Sequence, residues 1–171
     1  MAESYELDPV DWITAGAVGA PGERAFYIQA RRGTDTVALL CEKEQVRVLA
    51  RLAQELLARI DVAVTPDDVD TEAQGLVEPV VPAWRAGSLS LGMTEEGDRF
   101  LLEAEEVVED DTAAATARFW MDRDQLVAMA AYAAYAVEAG ARDTCRLCNR
   151  PIDPVAGHVC PALNGHGPLT D

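Results

Sequence analysis

Side chains along Arg24–Arg31 alternate in character, with Phe26, Ile28 and Ala30 on one side, and along Thr36–Cys41 the residues Val37, Leu39 and Cys41 do the same. A period of two marks a strand with one buried face. The four residues Arg32-Gly33-Thr34-Asp35 lie between them, and Gly33 permits the positive φ of a tight turn, so a hairpin is expected. The period then lengthens. Over Glu42–Ile60, the residues Leu49, Leu52, Ala53, Leu56, Leu57 and Ile60 recur at helical spacing, while Arg47, Arg51, Glu55 and Arg59 mostly take the other face. This predicts an amphipathic helix lying on a sheet.

The same order returns further along. Gly87–Met93 alternates Leu89, Leu91 and Met93 with small polar residues; Arg99–Glu105 follows, and then Thr116–Met121 with Ala117, Phe119 and Met121 on one side. A helix is again expected, and its start, Asp122–Ala130, matches Glu42–Ala50 as acid, base, acid, Gln and then apolar residues. The predicted fold is α+β: two duplicated βββα units forming mainly antiparallel sheet, with two packed helices and a small C-terminal zinc knuckle. Unit one covers about 8–62, a linker 63–82 and unit two about 83–141, giving a body over 1–141 and a knuckle and tail over 142–171. Two units related by a pseudo-twofold could join their three-stranded sheets and lay both helices on one face or at opposite ends, and the sequence leaves one sheet or two open. Capping explains the shared helix starts, because Asp122 can accept first-turn N–H groups while Gln125 reaches back to the cap, with Glu42 and Gln45 the poorer version.

Leu126–Val137 contains no charged residue. A helix of that kind is covered on more than one face, so the segment 122–139 is expected at an interface, within the chain or in a homodimer, with Tyr132 and Tyr135 packing there. It is too short to span a membrane. Between the units, Thr65, Pro66 and the acids Asp67, Asp68, Asp70 and Glu72 read as a capped helix start rather than a cation site, since they lack the ligand alternation and glycine of a calcium loop. Gly16–Gly22 reads as a turn between strands, lacking the Lys-Ser/Thr pair of a phosphate loop. Glu105–Asp111 reads as a solvated strand end, with a docking face for a basic partner as the alternative. Cys41, on an apolar strand, reads as a small buried residue.

Charge changes the choice of partner. The 171 residues carry 30 acidic and 14 basic side chains, a formal charge of −16, which repels phosphate backbones and anionic lipid heads. Nucleic acid is therefore disfavoured and no membrane association is expected. The excess lies on the body, because in 142–171 Arg142, Arg146 and Arg150 offset Asp143, Asp153 and Asp171. The start, Met1–Trp12, has no basic and apolar leader pattern, which predicts a cytoplasmic protein with reduced thiols.

In that setting the concentration of Cys145, Cys148, His158, Cys160 and His166 near one end points to metal. A Cys-x-x-Cys turn such as Cys145–Cys148 brings two thiolates to one tetrahedral zinc ion. Cys160 supplies the third ligand, and either His158 or His166 the fourth; Gly157 favours His158 by freeing the turn that aims it. Four protein ligands leave no position for a water, so the zinc is expected to be structural, standing in for a core that this tail lacks.

Four segments of the chain, Asp8–Arg31, the helix starts Cys41–Val46 and Met121–Leu126, and the tail Cys145–Gly165, resemble an actinobacterial family, the domain of unknown function 3090. The resemblance implies ligand positions at Cys145, Cys148, His158 and Cys160. The chain departs from the family pattern at Arg146, Asn149 and Ala162, where Pro, Gly and Arg are usual. The resemblance also implies a cytoplasmic protein, and it carries no activity with it. The functional expectation is a non-enzymatic binding or adaptor module with a structural zinc and a protein partner; the alternative is a zinc-dependent hydrolase or small-ligand-binding enzyme with a partly open zinc site.

Overall fold

The alternating stretches are strands and the periodic ones helices. A computed structural model describes residues 1–20, 22–109, 112–139, 145–148, 152 and 157–163. In chain order they form β1 (Tyr5–Leu7), β2 (Trp12–Val18), β3 (Ala25–Arg32), β4 (Asp35–Cys41), α1 (Lys43–Ala58), α2 (Thr71–Gln74), β5 (Trp84–Met93), β6 (Phe100–Glu106), β7 (Thr116–Met121) and α3 (Arg123–Ala139), with 3-10 turns at Pro66–Asp68 and Pro161–Leu163. Among the described residues no helix is long and apolar enough to cross a membrane.

One seven-stranded mixed sheet runs in the order β1-β7-β6-β5-β4-β3-β2. The register puts Phe26 opposite Cys41, Ile28 opposite Leu39 and Ala30 opposite Val37, so the apolar halves of β3 and β4 share one face. Gly33, with φ of 58°, makes the hairpin turn between them. Strands β2-β3-β4 and β5-β6-β7 are antiparallel within themselves, whereas β4 pairs with β5, and β1 with β7, in parallel. The two successions share one sheet, joined where β4 meets β5. The last strand of the first succession lies parallel to the first strand of the second. Parallel neighbours need a crossover, and α1 with the linker after it supplies one.

Strand β1 was not legible in the sequence, being only Tyr-Glu-Leu. It shapes the sheet all the same. β1 and β2 occupy opposite edges, yet only Asp8–Asp11 separates them. A flat seven-stranded sheet is roughly 29 Å across, and a few extended residues reach at most about 17 Å, so the sheet must curl. The edges meet where Val10 N–H donates to the Trp120 carbonyl and Asp11 N–H to the Arg31 carbonyl, both at 2.8 Å.

Both long helices cover the apolar face and pack on each other. Val46, Leu49, Ala53 and Leu57 of α1 join Leu126, Met129, Ala133 and Val137 of α3 in one core with Ile28, Leu39, Phe100, Leu102 and Phe119 of the sheet. α3, with its charge-free stretch Leu126–Val137, is covered by the chain itself: α1, β2, α2 and the Pro66–Asp68 turn all touch it. Tyr132 packs against Gly16 of β2, whereas Tyr135 stays 45% exposed.

The linker begins as its acids foretell, with Thr65 N–H donating to Asp68 at 2.7 Å and Asp70 capping α2. It lies over the opposite face of β2 and β3. Thr14 Oγ1 donates to the Gln74 carbonyl at 2.6 Å, while Gln29 exchanges two hydrogen bonds with the Val77 backbone, at 3.1 and 2.8 Å. These buried polar side chains hold an irregular segment that has no ladder of its own.

Candidate metal centre

The C-terminal cysteines meet because two short turns face each other. Cys145–Cys148 forms a turn, and Gly157, with φ of 72°, precedes His158 and Cys160. One ligand atom from each of Cys145, Cys148, His158 and Cys160 lies within 4.8 Å of every other. Cys145 and Cys160 are buried and the other two half-buried. The second histidine considered from the sequence, His166, lies outside the described residues, as do Asn149 and Pro151.

The donor set fits a soft to borderline metal ion. Two thiolates on one tetrahedral zinc at about 2.3 Å stand roughly 3.7–3.8 Å apart, and Cys145 Sγ lies 3.7 Å from Cys160 Sγ. Cys148 Sγ and His158 Nε2 are closer, at 2.9 Å, a hydrogen-bond distance. An ion between them would push that pair out to roughly 3.5 Å. With Nε2 turned inward, Nδ1 is left for an outer partner, the arrangement that orients metal-bound imidazoles.

Local electrostatics divide the facing thiols. Backbone N–H groups of Cys148 and then Leu147 donate to Cys145 and bring its thiol down to about 7, whereas burial pushes the Cys160 thiol up. The turn thus prepares a thiolate before any ion arrives. None of the four cysteines is in a disulfide.

Cys41 lies apart from this cluster, buried in β4, and burial pushes its thiol up to about 12, as suits a core residue. Two stacked pairs escaped the sequence reading, because they join residues distant in the chain: Arg99 lies 4.7 Å from the Trp120 ring and also pairs with Asp8, and Arg31 lies 5.8 Å from Trp12.

A curled mixed sheet covered by two helices and followed by a Cys/His cluster positioned to bind a metal ion defines the class: an α+β protein with an appended candidate metal site. The chain belongs to the family described as "Protein of unknown function (DUF3090)", whose model matches residues 5–160 and so takes in all four clustered residues. No curated protein and no solved structure matches it.

Proposed function

We propose that this is a cytoplasmic zinc protein, a binding or adaptor module rather than an enzyme, in which Cys145, Cys148, His158 and Cys160 hold a structural zinc and the acidic body meets a protein partner. The observation that carries it is the convergence of three sulfurs and one imidazole nitrogen within 4.8 Å. A full set of four protein ligands leaves no open position for an activated water, which favours a structural over a hydrolytic ion. Reduced thiols at this spacing fit the cytoplasm, and the charge of −16 favours a basic protein surface over nucleic acid or anionic lipid.

The division of labour is a body over 1–141 and a zinc module over 142–171. Within the body we read β2-β3-β4-α1 and β5-β6-β7-α3 as related βββα units; their common element order and the glutamine at each helix start support this.

Metal analysis of the purified full chain, followed by cobalt substitution, tests the centre. One equivalent of zinc and the absorption of a tetrahedral three-sulfur, one-nitrogen cobalt site are expected. A five-coordinate spectrum carrying an exchangeable water would instead favour the hydrolase. Affinity capture at physiological salt tests the adaptor role, which fails if no protein is retained.

A further inference from the structure

We propose that the cleft where β4 meets α1 binds a compact phosphate dianion, free or carried by a small organic molecule. The cleft encloses about 330 Å³ and is lined by Arg24, Lys43 and Arg85, with Glu42 beside them and the buried Phe26 and Cys41 on its inner side. Its cations come from three separate places: the turn before β3, the first residue of α1 and the second residue of β5. Lys43 is the chain's only lysine. In a protein with twice as many acids as bases, such convergence goes against the average surface, and the fold alone produces it.

Most of this charge is uncommitted. Arg85 pairs with Glu42, but Arg24 donates only to the Gly19 carbonyl, at 3.2 Å. Among the described residues neither Arg24 nor Lys43 has a carboxylate in ion-pair contact. Three cations against one carboxylate leave two positive charges, and a phosphate monoester carries about −1.5 to −2 at neutral pH. Donors drawn from three separate elements suit a tetrahedral anion better than a planar carboxylate, which a single arginine already satisfies side-on. Arg24 and Lys43 are half-buried, so solvent screens them less than it screens the exposed arginines of α1. The α1 dipole has the same sign there, although Gln45 already accepts the Glu42 N–H and the site does not depend on that helix end. The volume suits a small molecule, at the lower end of ligand cavities.

Nitrogen–proton correlation spectra of the full-length zinc-loaded protein, titrated with inorganic phosphate and separately with glycerol 3-phosphate, test this site. Saturable shifts are expected at residues 22–26, 41–44 and 85, with a Kd at or below about 1 mM for one of the probes. Tighter binding of the ester would identify a phosphorylated metabolite, and equal binding would identify phosphate itself; both outcomes support the site. Lys43→Gln and Arg24→Gln should each weaken binding about tenfold or more, since each removes a charge-assisted contact, while Arg51→Gln, on the exposed face of α1, should change nothing. Arg24→Lys, expected to retain part of the affinity, serves if Arg24→Gln misfolds. Absence of saturation with both probes, or equal weakening by Arg51→Gln, overturns the proposal.

Discussion

Gln125 reaches 115 residues back along the chain to donate its side-chain amide to the Val10 carbonyl at 2.9 Å. The same side chain accepts the Asp122 N–H at 3.0 Å through its oxygen, and Asp122 accepts the Gln125 N–H at 2.8 Å. One glutamine therefore closes the capping box of α3 and fastens that helix to the connection that brings the sheet edges together. Gln45 works in parallel: its oxygen accepts the Glu42 N–H at 2.8 Å, and its nitrogen donates to the Ala86 and Gly87 carbonyls, each at 3.1 Å. Each helix start is thereby tied to a segment distant in sequence.

Gln125→Ala should lower stability by about 1–3 kcal/mol, since one partly buried and one exposed hydrogen bond, worth roughly 0.5–1.5 kcal/mol each, are lost. Gln125→Glu, which keeps an acceptor for Asp122 but turns an oxygen towards the Val10 carbonyl, should recover little of it. Chemical denaturation of the two variants measures the difference; a stability equal to wild type in Gln125→Ala would remove the fastening role.

Gly16 sits against Tyr132, and a Cβ there would lie 2.8 Å from the ring carbon Cε1. Gly16→Ala should therefore cost about 1–3 kcal/mol through overpacking. In a Tyr132→Ala background the same substitution should cost much less, and a double-mutant cycle reads the coupling. Additive effects would show that the ring moves aside freely.

Cys41 should resist alkylation in the native state, being buried with a thiol raised from 9.0 to about 12. Its proton is held more tightly in the folded than in the unfolded chain, so its contribution to stability is complete below pH 9.0 and is lost as pH rises towards 12. Cys41→Ala should flatten that alkaline decline, which thermal melts between those limits would reveal.

Chelation should expose Cys145, Cys148 and Cys160 to thiol reagents while leaving the cooperative unfolding of the body in place, because neither Cys145 nor Cys160 belongs to the body's core cluster. Cys148→Ser and Cys160→Ser should each reduce zinc affinity by tenfold or more, on the order of the effect of losing even an outer partner, whereas Cys41→Ser should retain one equivalent. Mass spectrometry of alkylated protein, with metal analysis, reports both. Loss of the body's transition on chelation would show that the ion stabilises more than its own segment.

Periodicity marked β3, β4, β5, β7 and α1, because a chain with one buried face must repeat its apolar residues at the spacing of the element that buries them. Local chemistry marked the helix starts at Asp122 and Thr65, the hairpin turn at Gly33 and the cysteine pair at Cys145 and Cys148, since caps, turns and chelating knuckles are satisfied within a few residues. β1 was silent, as three residues carry no period. The second bonds of Gln45 and Gln125, the grip of Gln29 on Val77 and the stack of Arg99 on Trp120 were silent too.

By itself, then, the sequence determined most of the longer elements, their apolar faces and the ligand-rich end, all of which are written in short-range spacing. Tertiary structure alone decided that β4 would lie parallel to β5, that the edges of the sheet would meet at Val10 and Asp11, and that Arg24, Lys43 and Arg85 would share one cleft. Those outcomes depend on contacts between segments tens of residues apart, whose free energy comes from burying the common core and leaves no periodic trace in the order of the residues.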